Sequence, residues 1–93
     1  MENNAENIVL INGEFDAVEA KDIILSLLND KIGFQALKNL RHEEKKGKPD
    51  AHALQRIAEL KQTIDKLTVF FNHCNDQGHR LNMHSEIKIE ITQ

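Results

Sequence analysis

Apolar and small residues recur at Ala53, Ile57, Leu60, Ile64, Leu67, Phe71 and Cys74. Steps of 4, 3, 4, 3, 4 and 3 keep one narrow stripe on one side of a helix for three heptads. This predicts a long helix over 50–77 that lies along a partner helix. Asp50 can cap its start, and Gly78 can end it in the left-handed conformation.

The stretch before it carries a second helix, expected over 16–46. Asp16 is placed as N-cap, Glu19 completes a capping box, and Phe15 stands where a staple residue packs back on the first turn. Ala17, Ala20, Ile23, Ile24, Leu27 and Leu28 form its first apolar face. Ile32, Phe34, Ala36, Leu37 and Leu40 form a second that rotates away from the first at 100° per residue. One straight helix cannot turn both sets to one partner. Gly33 sits at the junction, so a kink or short break is expected near 30–33. Gly47-Lys48-Pro49 then breaks the chain, and so short a linker makes the two helices antiparallel neighbours.

Strand patterns flank the helices. Ile8-Val9-Leu10-Ile11 is mostly β-branched and lies between Asn7 and Asn12-Gly13, which predicts a strand over 7–12. Its apolar run is continuous, so both faces want cover. Residues 1–6 are polar and expected to fray. Near the other end Leu81, Met83, Ser85, Ile87, Ile89 and Ile91 alternate with polar neighbours, which predicts a half-buried strand over 86–92.

The expected fold is therefore α+β, a single domain over 1–93 in the order strand–helix–helix–strand. A long antiparallel helical hairpin packs on a two-stranded antiparallel sheet. Two strands are marginal alone. A helix of about 28 residues spans roughly 42 Å against roughly 20 Å for a six-residue strand, so the hairpin tip should outreach the sheet. These features point to a homodimer, with a four-stranded sheet across its two-fold axis. Its interface would draw on Ile8, Val9, Leu10, Ile11, Ile87, Ile89 and Ile91.

Composition sharpens this picture. Without Trp or Tyr and with four Phe, the 93-residue chain must build an aliphatic core, and a domain so small is often marginal alone. One cysteine excludes an intrachain disulfide and fits a reducing compartment. The acidic start lacks the basic and apolar regions of a signal peptide, and no apolar run approaches a membrane span. A cytoplasmic protein is expected.

The net charge of −3 gives no general attraction to polyanions. Its distribution is uneven. Glu2, Glu6, Glu14, Asp16, Glu19, Asp22 and Asp30 face only Lys21 in the first third, whereas Lys38, Arg41, Lys45, Lys46 and Lys48 outnumber Glu43 and Glu44 near the hairpin tip. That basic tip suggests contact with nucleic-acid phosphates or with a protein partner. Glu43 and Glu44 interrupt it, and no aromatic residue lies among its lysines for stacking.

Candidate chemistry is sparse. His73, Cys74, His79 and His84 are metal-ligand types, but His73 and Cys74 diverge by about 100° on a helix and Cys74 continues the apolar seam. His42-Glu43-Glu44-Lys45-Lys46 begins like a zincin helix, and Lys46 stands where its second His is required. The acidic group Glu14, Asp16, Glu19 and Asp22 is explained by the dipole of a helix N-terminus. No catalytic, cofactor or metal residues are assigned.

The string INGEFDAVEAKDIILSLLNDKI, with LKN, GKPD and RIAEL further on, resembles a group of short uncharacterised bacterial proteins. The resemblance spans most of the chain and implies one compact domain without implying an activity. The expected role is a non-enzymatic interaction module acting as a homodimer. The alternatives are a nucleic-acid-binding accessory protein using the tip, or a small enzyme or ligand-binding protein with its site at the dimer cleft.

Overall fold

A computed structural model describes residues 5–92. Strand β1 spans Ala5–Asp16, helix α1 Ala17–Lys46, helix α2 Ala51–Asp76 and strand β2 Arg80–Glu90. The strands form a two-stranded antiparallel ribbon, and the helices form an antiparallel hairpin. The α+β order expected from the sequence is the one observed.

The helix boundaries follow from their caps. Asp16 Oδ1 accepts the Glu19 N–H at 2.8 Å, and Asp50 Oδ1 accepts from His52 and Ala53, each at 3.1 Å. Those backbone donors hold both carboxyls below the ordinary aspartate range. At the other ends, Gly47 adopts φ 70° and donates to the Glu43 carbonyl. Gly78 adopts φ 69°, donates to Asn75 O and lets His79 donate to Cys74 O, which is a Schellman motif.

Between the helices, the heptad stripe of α2 is the buried one. Ala53, Leu60, Phe71 and Cys74 are buried, and Ile57, Ile64 and Leu67 are half-buried. On α1 the half-buried stripe after Ala20 runs through Ile24, Leu28, Ile32, Gln35, Asn39 and His42. Its steps are all three or four, so it needs no bend. The break expected near 30–33 is absent, and helix continues through Gly33. The conflict between two apolar faces is resolved by exposure. Polar Gln35, Asn39 and His42 turn toward α2, while Phe34, Leu37 and Leu40 are left in solvent.

Both strands are longer than the expected 7–12 and 86–92, although β2 stops at Glu90 and leaves Ile91 and Thr92 beyond it. β1 takes in Ala5 and Glu6, expected to be frayed; residues 1–4 of that stretch lie outside the described residues. Asn12-Gly13 does not turn into the helix, because His84 and Met83 pair with it and carry the ladder to Asp16. The polar residues near the base face outward, where water solvates them. At roughly 3.3 Å per residue the ribbon is about as long as the helices, so they do not outreach it.

A β-bulge also changes the reading of the continuous apolar run. Val9 pairs with Glu86 and Ile11 with Ser85, which leaves Leu10 as the extra residue. Ile8 lies opposite Ile87, so Ile8, Leu10 and Ile11 share the face that holds Phe15, Leu81 and Met83. Val9 alone of the four falls on the outer face, with Asn7, Asn12 and Glu14. The run is not two-sided.

The helices meet the ribbon chiefly at its base, where Ile24, Leu67 and Phe71 approach Leu81 and Met83. Beyond the base the two arms diverge. The Cα extents are 50 × 43 × 13 Å and the radius of gyration is 17.2 Å, against about 12 Å for a compact chain of this length.

Leu60→Ala should cost about 3 kcal/mol, because Leu60 is 3% exposed at mid-seam and its removal leaves a cavity. Chemical denaturation checks this, and a change under 1 kcal/mol would mean that the seam repacks freely.

The caps predict a pH dependence. Asp16 and Asp50 have lowered folded-state pKa values, so their stabilising contribution is complete above the unfolded value of about 3.9 and is lost as pH falls through the folded ones. Melting temperature should fall below about pH 4. A variant with Asp16→Asn and Asp50→Asn keeps the acceptors and should fall less steeply.

Candidate interaction surface

Two apolar walls face each other where the arms diverge. The ribbon contributes Leu10 and Ile87, α1 contributes Leu27, Leu28 and Phe34, and α2 contributes Leu60. They bound an open cleft of about 600 Å³. Asp30, Lys31, Arg56 and Ser85 supply its polar lining. Its exposed lining is mainly apolar, with charged groups of both signs among it, so it favours apolar side chains over a charged substrate.

The cleft exists because two local rules act together. The bulge puts Ile8, Leu10 and Ile11 on the inner face of the ribbon, and the straight seam turns Phe34 outward from α2. Leu10 and Ile87 are each more than 40% exposed and Phe34 is 64% exposed. Leu37, Leu40 and Leu54 extend the uncovered apolar area toward the tip.

The expected interface residues divide. Ile8, Val9, Leu10, Ile87, Ile89 and Ile91 are exposed, with Val9 alone on the outer face among the first three. Ile11 is buried at the base and belongs to the chain's own core, because the bulge turns it inward beside Ser85. Sequence reasoning missed Phe34, Leu37 and Leu40. Their signal is the rotation of the second apolar cluster, a pattern that a bend and a free surface share.

The basic tip is polar and ordered by side-chain bonds. The Asp50 N–H donates to Asn39 Oδ1 at 2.8 Å, and Asn39 Nδ2 donates to Glu43 Oε1 at 3.1 Å. His42 Nδ1 lies 2.9 Å from the Lys48 carbonyl, which can only accept, so Nδ1 carries the proton. Lys38, Arg41, Lys45, Lys46 and Lys48 are all exposed, as are Glu43 and Glu44. At the opposite end, Arg80 Nε donates to Glu14 Oε1 at 2.6 Å, and this hydrogen bond and charge push the guanidinium pKa up.

Cys74 is buried, whereas His73, His79 and His84 are exposed. Among the described residues, no three His, Cys, Asp or Glu side chains come together as a metal site. No described helix is long and apolar enough to cross a membrane. No protein-family model, curated protein or solved structure matches this chain.

Asn39→Ala should leave the Asp50 amide without its acceptor and loosen the tip at a cost of about 1 kcal/mol. Hydrogen exchange at Asp50 reads this directly. Unchanged protection there would show that the clasp does not hold the tip.

Proposed function

We propose that this protein is a non-enzymatic interaction module that works as a homodimer, with the cleft as its contact surface. The observation that carries this reading is the pair of apolar walls, with Leu10 and Ile87 exposed on one arm and Phe34 exposed beside half-buried Leu28 on the other. A chain of 93 residues has little core to spare, and leaving these walls in water forgoes about 25 cal/mol for each Å² of apolar surface. A second copy covers them by using one patch twice.

The charge distribution supports the same partner. The acidic residues Glu14, Asp16, Glu19 and Asp22 lie at the base, and the exposed lysines lie at the far end of α1. A second copy carries both signs of charge, so it can answer an acidic base as well as a basic tip.

Sedimentation equilibrium tests the reading. The expected mass is twice the 10.7 kDa chain mass at micromolar concentration, with a melting temperature that rises with concentration. Phe34→Glu should give a folded monomer, since Phe34 makes little contact within its own chain. A wild-type monomer at every concentration would overturn the dimer. Salt-dependent association of that monomer with a mixed RNA pool would favour the tip lysines as a nucleic-acid contact instead.

A further inference from the structure

We propose that β2 pairs edge to edge with β2 of a second copy, antiparallel, about a two-fold axis at Ile87. This rests on the homodimer reading and adds which edge is used and in which register.

The ribbon has two open edges, and they are not equivalent. The β1 edge is interrupted at Leu10, where the bulge removes one residue from the ladder. The β2 edge runs without irregularity from Arg80 to Glu90 and contains no proline. It therefore presents an unbroken row of backbone donors and acceptors, the feature that accepts another strand.

Charge, crowding at the base and the end of the strand together select the register. With the axis at Ile87, Ile87 opposes its own copy, Glu86 opposes Lys88, Ser85 opposes Ile89 and His84 opposes Glu90. Every charged pair is then between unlike or neutral partners. An axis at Glu86 or Lys88 sets like charges directly opposite each other. An axis at Ser85 sets no like charges opposite either, but it brings the partner strand alongside Leu81 and Met83, at the base where the chain's own helices pack, and so crowds the two hairpins together. An axis at Ile89 carries the ladder beyond Glu90, where strand β2 ends. Lys88 and Glu86 are exposed, and among the described residues Lys88 meets a carboxylate loosely, Glu90 at 3.9 Å.

Pairing in this register joins the inner faces of both ribbons into one four-stranded face carrying Ile8, Leu10, Ile87 and Ile89 from each copy. A two-fold axis normal to the sheet puts both helical hairpins on that face. The apolar surface that one hairpin leaves open beyond its own base is then shared between two roofs.

Charge reversal and cross-linking test the register separately from the dimer. Lys88→Glu should weaken dimerisation roughly tenfold, because two symmetric unlike pairs become like pairs. Adding Glu86→Lys should restore affinity to within about threefold. In a Cys74→Ala background, Ile87→Cys should form a disulfide-linked dimer faster than Ser85→Cys or Ile89→Cys. A wild-type dimer that ignores Lys88→Glu and cross-links no better at position 87 would overturn the edge pairing while leaving the dimer in place. A wild-type chain that is monomeric at all concentrations would overturn both. Circular dichroism on each variant confirms folding, and the cross-linking series decides the matter if a charge variant does not fold.

Discussion

The contact between α1 and α2 constrains everything else in this chain. A straight helix can offer a narrow heptad seam only one stripe, and α1 has more apolar residues than one stripe can hold. The seam takes Ile24, Leu28 and Ile32, then continues through Gln35, Asn39 and His42. Those last three are polar, yet their positions are fixed by helical periodicity once the first half of α1 is docked. Asn39 and His42 find partners in the Asp50 amide and the Lys48 carbonyl, which lowers the cost of turning them inward. The consequence is a free apolar set at Phe34, Leu37 and Leu40.

The ribbon answers that set from the other arm. Without the bulge, strand alternation would send Leu10 to the face opposite Ile11. The extra residue removes that alternation at one point, and Ile8, Leu10 and Ile11 come to one side. Base and tip then play different parts. At the base, Ile11 and Phe71 are buried within the chain and set where the arms meet. Farther out, the same apolar face continues past the reach of the helices. The extended shape follows from a core that is closed at one end only.

Much of this was legible in the sequence because local signals and burial agree. The seam of α2, the caps at Asp16 and Asp50, and the stops at Gly47 and Gly78 all depend on residue spacing or on backbone demands within a few positions. The strand lengths were less legible. Asn12-Gly13 has the composition of a turn, and only long-range pairing with His84 and Met83 makes it strand. The bulge was illegible for a similar reason, since an apolar run of four is equally compatible with a two-faced strand. Gly33 misled in the opposite sense. Its helix cost of about 1 kcal/mol is easily absorbed in a 30-residue helix, so it marks no break. Leaving large apolar residues exposed is a choice that local rules cannot reveal.

That choice also changes the physical case for a partner. Of the expected reasons for a dimer, the short chain and the two-stranded sheet stand, whereas the two-faced first strand and the outreaching helices do not. To those that stand is added one apolar face of each arm. A partner for such a surface must be apolar where the walls are apolar and must carry both signs of charge around them. A second copy meets these conditions by construction, since it brings the same walls, the same acidic base and the same basic tip. An unrelated helix or strand would have to match the cleft and the charged ends independently. The proposed self-recognition is therefore the reading that asks least of the sequence, and the straight seam of α1 and α2 would give it a rigid spacing.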